Sequence, residues 1–113
     1  MTVLDYNSYA VSKNGRRIRL SDERWSHITE AHDYMAGNKD LIFETVEDPD
    51  IIVEDDDGAL IAIKYYPHTS IGEKNVAVVY KELSDDGFVI TTFMTSKLEK
   101  ITRKGIIWKK QLI

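Results

Sequence analysis

The sequence contains no cysteine among its 113 residues, which removes disulfides, thiolate metal ligation and a cysteine nucleophile from consideration. Proline occurs only at Pro49 and Pro67, and glycine six times, too little for a linker or low-complexity tract to divide the chain. No apolar run approaches the roughly 18 residues of a helical membrane span. Residues 1–10 also lack the basic-then-apolar order of a signal peptide. The expectation is therefore a cytoplasmic, soluble protein with no membrane partner. A phosphate-binding glycine loop, a nucleophile elbow and a dinucleotide fingerprint are missing too, so nucleoside triphosphate chemistry and serine-type hydrolysis drop out.

A hydrophobic content of 42% with 30% charged residues predicts one globular domain over residues 1–113, with 1–15 as an N-terminal extension and 16–110 as the folded unit. The net charge of −4 counts against a nucleic-acid partner, which usually selects a basic surface. The charge is unevenly spread, however. Between Glu44 and Gly58 there are eight acidic residues and no basic ones, whereas Lys97, Lys100, Arg103, Lys104, Lys109 and Lys110 face only Glu99 in the last stretch. Lys13, Arg16, Arg17, Arg19 and Arg24 form a second basic run, so a basic face is compatible with an acidic total.

Ser21 is a suitable N-cap, Asp22 and Glu23 suit the positive end of a helix, and Trp25, Ile28, His32 and Met35 recur at helical spacing. These features predict a first helix over Asp22–Tyr34, preceded by a short possible strand at Arg16–Leu20. Asn38 can cap a second helix from Lys39 to Glu47, which Asp48-Pro49 closes because proline disfavours helical geometry in the residue before it. From Ile51 the period becomes that of strands: Ile51–Glu54, Ala59–Tyr66, Asn75–Leu83 and Phe88–Thr95 are rich in β-branched and aromatic residues. Helices followed by an antiparallel meander give an α+β fold, with N-terminal helices packed on a four-stranded antiparallel sheet. Lys104–Lys110 offers a last edge strand.

Strand alternation proposes a site. If the more apolar side chains pack on the helices, Lys64, Tyr66, Lys81, Thr91 and Thr95 converge on the open face of the sheet. Phosphate recognition and the charge of a phosphoryl transition state both ask for cations and hydroxyl donors placed together. The same residues also fit a solvated face, which antiparallel sheets commonly have. His32 shares the stripe of Trp25 and Ile28, which fits either a core-edge histidine with one hydrogen bond or a proton carrier; His27 is rotated well away from that stripe, as a surface residue would be. The two are five apart and so miss the i, i+4 spacing of a helical zinc pair. The run Glu54-Asp55-Asp56-Asp57 lacks calcium-loop spacing, and its Asp57-Gly58 end suits a hairpin turn. No metal site is expected.

The segments Ile18-Arg19-Leu20-Ser21-Asp22-Glu23-Arg24-Trp25-Ser26-His27-Ile28, His32, Val46-Glu47-Asp48-Pro49-Asp50, Val76-Ala77-Val78-Val79-Tyr80-Lys81 and Val89-Ile90-Thr91-Thr92-Phe93, taken in order, resemble phage- and mobile-element-associated members of the barnase-EndoU-colicin-RelE-like nuclease superfamily. The resemblance spans about residues 16–110. It implies a RelE- or barnase-like fold and a metal-independent endoribonuclease of toxin or effector type. His27, His32, Lys81 and Thr91 would be its catalytic residues. Lys64, Tyr66, Thr95 and Lys97 are added as substrate-binding candidates, the first three by the face argument and Lys97 from the basic stretch that follows. The implied mechanism is attack by an RNA 2'-hydroxyl on the adjacent phosphorus, with one histidine as base, another or a lysine as acid, and Lys81 with Thr91 stabilising the phosphorane. It needs no cofactor. RNA is the implied substrate, and a cognate antitoxin or immunity protein is a possible partner. The competing expectation is an acidic binding protein without catalysis, itself immunity- or antitoxin-like, that uses residues 44–57 against a basic partner. A third is nucleic-acid binding without cleavage through Lys97–Lys110.

Overall fold

In a computed structural model, which describes residues 9–111, the chain forms a seven-stranded mixed sheet carrying three short helices. The elements are β1 (Tyr9–Val11), β2 (Arg17–Arg19), α1 (Asp22–Ala31), α2 (Lys39–Glu47), β3 (Ile51–Glu54), β4 (Leu60–Thr69), β5 (Gly72–Glu82), β6 (Asp86–Thr95), α3 (Glu99–Thr102) and β7 (Ile106–Lys109). Their order across the sheet is β1-β2-β6-β5-β4-β3-β7. This corrects the expected architecture of N-terminal helices on a four-stranded antiparallel sheet. Strands precede the helices, and β2 pairs with β6 in parallel. The possible strand at Arg16–Leu20 is present as β2, whereas β1 gave no signal, since three residues are too few to show a two-residue period.

The helices form where local signals place them. The Ser21 hydroxyl accepts the Arg24 N–H at 3.0 Å, and Asp22 and Glu23 occupy the positive end of α1. α1 stops at Ala31, three residues short of the expected Tyr34, because the His32 backbone leaves helical geometry and a single 3-10 turn, Asp33–Met35, follows. The Asn38 side chain does not cap α2; its amide donates to the Tyr34 carbonyl at 3.0 Å and ties the interhelical turn together. Among the described residues no helix is long and apolar enough to cross a membrane.

The sheet is buried on both sides. On one, Ile28, Met35, Ile42 and Val46 from the helical segments pack on Leu60, Ala62, Val76, Val78, Tyr80 and Met94. On the other, Val53, Ile61, Ile63 and Ala77 pack with Ile101 of α3, flanked by Leu98, Val79 and Phe93. Neither face of β4 is therefore clearly the more apolar, and alternation within one strand cannot tell which side meets the helices. Pairing decides it. Lys64 lies opposite Val76 and Tyr66 opposite Lys74, and directly opposed residues share a face. Lys64 and Tyr66 thus belong to the side covered by α2, while Lys81, Thr91 and Thr95 lie on the other. The expected convergence of all five on one open face does not occur.

Candidate active site at the free edge of β6

The pairing of β2 with β6 ends at Phe88. Beyond it, among the described residues, no strand pairs with that side of β6, and α1 with its following turn lies along the vacant edge. The Tyr34 hydroxyl accepts the Met94 N–H at 3.3 Å, which satisfies one of the donors an edge strand leaves unpaired. The same oxygen is 3.1 Å from His32 Nδ1. The Tyr34 oxygen thus links the β6 edge to the His32 ring, with the His32 tautomer deciding which of the two side chains donates. His32 is half-buried with its ring centroid 6.3 Å from Phe93. It reaches the strand edge as a packed, hydrogen-bonded side chain.

Upstream of His32 the edge opens into a groove of about 530 Å³. Arg24, His27 and Glu30 contribute from α1, Ile90 and Thr91 from β6, and Ile28 and Ala31 complete the lining. Arg24, His27 and Glu30 are spaced three apart, which keeps them on one flank of the helix, and all three are exposed. The strand side depends on a β-bulge. Val79 pairs with Thr91 but Tyr80 pairs with Val89, so Ile90 is the extra residue. A bulge bends its strand and re-aims neighbouring side chains, and here it lies where Ile90 and Thr91 both border the groove.

The groove brings together an imidazole, a carboxylate, a guanidinium and a hydroxyl. Such a set can accept a proton, donate one and neutralise a developing negative charge. His27 and Thr91 were candidates from the sequence, whereas Arg24 and Glu30 were not. Their helical spacing from His27 was the available signal. Among the described residues no group of three or more His, Cys, Asp or Glu side chains could hold a metal ion.

The remaining candidates stand elsewhere. Lys81 Nζ reaches over to the β3–β4 turn and donates to the Asp57 carbonyl at 3.3 Å. Lys64 Nζ donates to the Asp48 carbonyl at 3.0 Å and to its Oδ2 at 3.1 Å, so its charge is already matched. Tyr66 donates to Glu44 Oε1 at 2.5 Å. Burial, and then that carboxylate, push its hydroxyl above the usual tyrosine value, so it remains a protonated structural donor. Thr95 Oγ1 accepts the Lys97 N–H at 2.9 Å beyond the end of β6, leaving the Lys97 side chain exposed.

No curated protein and no solved structure shows significant similarity to the chain. A family model described as phage-Barnase-EndoU-ColicinE5/D-RelE like nuclease2 matches residues 2–109, a span that includes every side chain of the β6-edge groove. The chain belongs to that nuclease family.

Proposed function

We propose that the protein is an endoribonuclease that cleaves RNA by transesterification in the β6-edge groove. The observation that carries the reading is the meeting of Arg24, His27, Glu30 and Thr91 in one open groove, within a chain of a nuclease family. Glu30 takes the proton of a ribose 2'-hydroxyl as that oxygen bonds to the adjacent phosphorus. The bond from phosphorus to the 5'-oxygen breaks, and protonated His27 supplies the proton to the departing oxygen. Arg24 and the Thr91 hydroxyl hold the phosphorane oxygens, whose charge rises most in the transition state. The products are a 2',3'-cyclic phosphate and a free 5'-hydroxyl. Arg24 fills the role that the sequence suggested for Lys81, because Lys81 points to the Asp57 carbonyl.

The test is cleavage of a labelled single-stranded RNA in excess EDTA, with the new ends identified. Cyclic phosphate ends are expected, and His27→Ala or Glu30→Gln should each lower the rate about 10²- to 10⁴-fold, the usual contribution of one general acid or base. A single 2'-deoxy substitution at the cleaved position should abolish the reaction. Activity that requires added magnesium and leaves 5'-phosphate ends defeats the mechanism.

A second groove, of about 600 Å³, runs along α2 and is lined by Lys39, Asp40, Phe43, Glu44, Glu47 and Asp48. Its acidic character supports a second reading, in which the chain is itself an immunity- or antitoxin-like binding protein that docks a basic partner on α2. The two grooves share no lining residue. Loss of partner binding in Glu44→Lys with RNA cleavage retained separates them.

A further inference from the structure

The groove beside His27 and Thr91 has a neighbour toward the start of β6. A second hollow of about 370 Å³ is lined by Ser21 and Arg24 together with Leu83, Gly87 and Phe88. Arg24 borders both. Phe88 is 43% exposed although it lies inside a central strand, and Leu83 is 49% exposed. Beneath them Gly87 is bare backbone, where a Cβ would come within 2.1 Å of the Lys81 carbonyl oxygen.

Charge in the hollow is unequally committed. Arg19 is bound to Asp86 at 2.6 Å, so that pair is neutral as a unit. Among the described residues Arg24 has no ion pair. The lining of the hollow therefore includes one guanidinium without an ion pair and one exposed aromatic residue. A nucleotide has the matching parts, a phosphate for the cation and a flat base for the ring. Phe88 and Thr91 pair with Lys81 and Val79 across the Ile90 bulge, which sets them about 7 Å apart along the sheet and leaves room for a neighbouring nucleotide.

We infer that this hollow is a nucleotide-binding subsite: it takes the nucleotide beside the scissile phosphate of single-stranded RNA, with the base stacked on Phe88 and the phosphate held by Arg24. The inference rests on the ribonuclease reading of the adjoining groove.

The probe is a fluorescein-labelled single-stranded oligonucleotide, 2'-O-methylated throughout so that it lacks the attacking hydroxyl. Phe88→Ala should weaken binding about 5- to 100-fold, the range for removing one stacking aromatic. In an abasic series, one position should weaken wild-type binding and erase the difference between wild type and Phe88→Ala. Phe88→Trp provides a readout that does not depend on the alanine variant folding: its added emission, relative to wild type, should be quenched by the stacked base. Unchanged binding in folded Phe88→Ala, a difference that persists at every abasic position, or no quenching in Phe88→Trp overturns the subsite. Cleavage of the unmodified RNA by the wild type is measured alongside. Phe88-dependent binding without cleavage removes the ribonuclease reading and leaves a binding site, and cleavage with Phe88-independent binding does the reverse.

Discussion

Asp48 receives two lysines. The Lys64 ammonium is 3.1 Å from Oδ2 and the Lys110 ammonium 3.1 Å from Oδ1. Hydrogen bonds from Lys64 first and Lys110 second hold this carboxyl below its usual value of 3.8. A carboxylate favoured in the folded state stabilises the fold above its unfolded-state pKa, and that contribution is lost as the pH falls through the lower folded-state value. With Asp48 half exposed, solvent screening limits the effect to under about 1 kcal/mol. Urea midpoints of Asp48→Asn should therefore lie below wild type near neutral pH, with the gap closing as the pH drops below 3.8. A gap that stays constant with pH would assign the loss to packing instead. The same residue scale shows what the sequence concealed: Lys64 looks like a free cation in the chain, and only folding places it on Asp48.

At the scale of elements, β6 carries both the fold and the site. Its N-terminal end squeezes between β2 and β5, where Ile18 and Glu82 both pair with Gly87. A methyl group there would lie 2.1 Å from the Lys81 carbonyl oxygen and 2.9 Å from the Ile18 side chain, and the first of these is backbone that cannot swing aside. Gly87→Ala should destabilise the protein by about 1–3 kcal/mol, the usual cost of overpacking a filled interior, read as a lowered urea midpoint. Wild-type stability in that variant would mean that β6 does not approach β5 so closely. Asp86-Gly87 is by composition a turn dipeptide, yet in the fold it opens β6, which begins at Asp86. By contrast α2 and β3 occupy the spans that their local pattern predicts, Lys39–Glu47 and Ile51–Glu54. The bulge at Ile90 was invisible, because an extra residue reveals itself only against the strand it pairs with.

For the whole molecule, a net charge of −4 coexists with a hollow lined in part by Arg24 and the Arg19–Asp86 pair. If the proposed ribonuclease reading holds, binding of single-stranded RNA should weaken with salt in proportion to the phosphates neutralised, with a slope of about −0.7 per contact. Arg24→Ala should make the slope of log affinity against log salt shallower by about that amount. An unchanged slope would take Arg24 out of phosphate contact. The acidic side, along α2 and the β3–β4 turn, lies on other elements and does not enter that measurement.

The sequence by itself determined what short-range physics controls: the Ser21 cap, the end of α2 at Asp48-Pro49, the positions of the central strands, and the presence of histidine and hydroxyl groups suited to phosphoryl chemistry. Tertiary structure decided what depends on distant residues. It set the phase of β4 against β5, which sends Lys64 and Tyr66 to the helix-covered side. It added the parallel contact of β2 with β6, and stopped that contact at Phe88 so that an edge remained for α1. A side chain's alternation is fixed by its own strand, but its face and its neighbours are fixed by pairing across the sheet. The groove that joins Arg24, His27 and Glu30 to Thr91 spans a helix and a strand separated by most of the chain, and only the folded pairing brings them together.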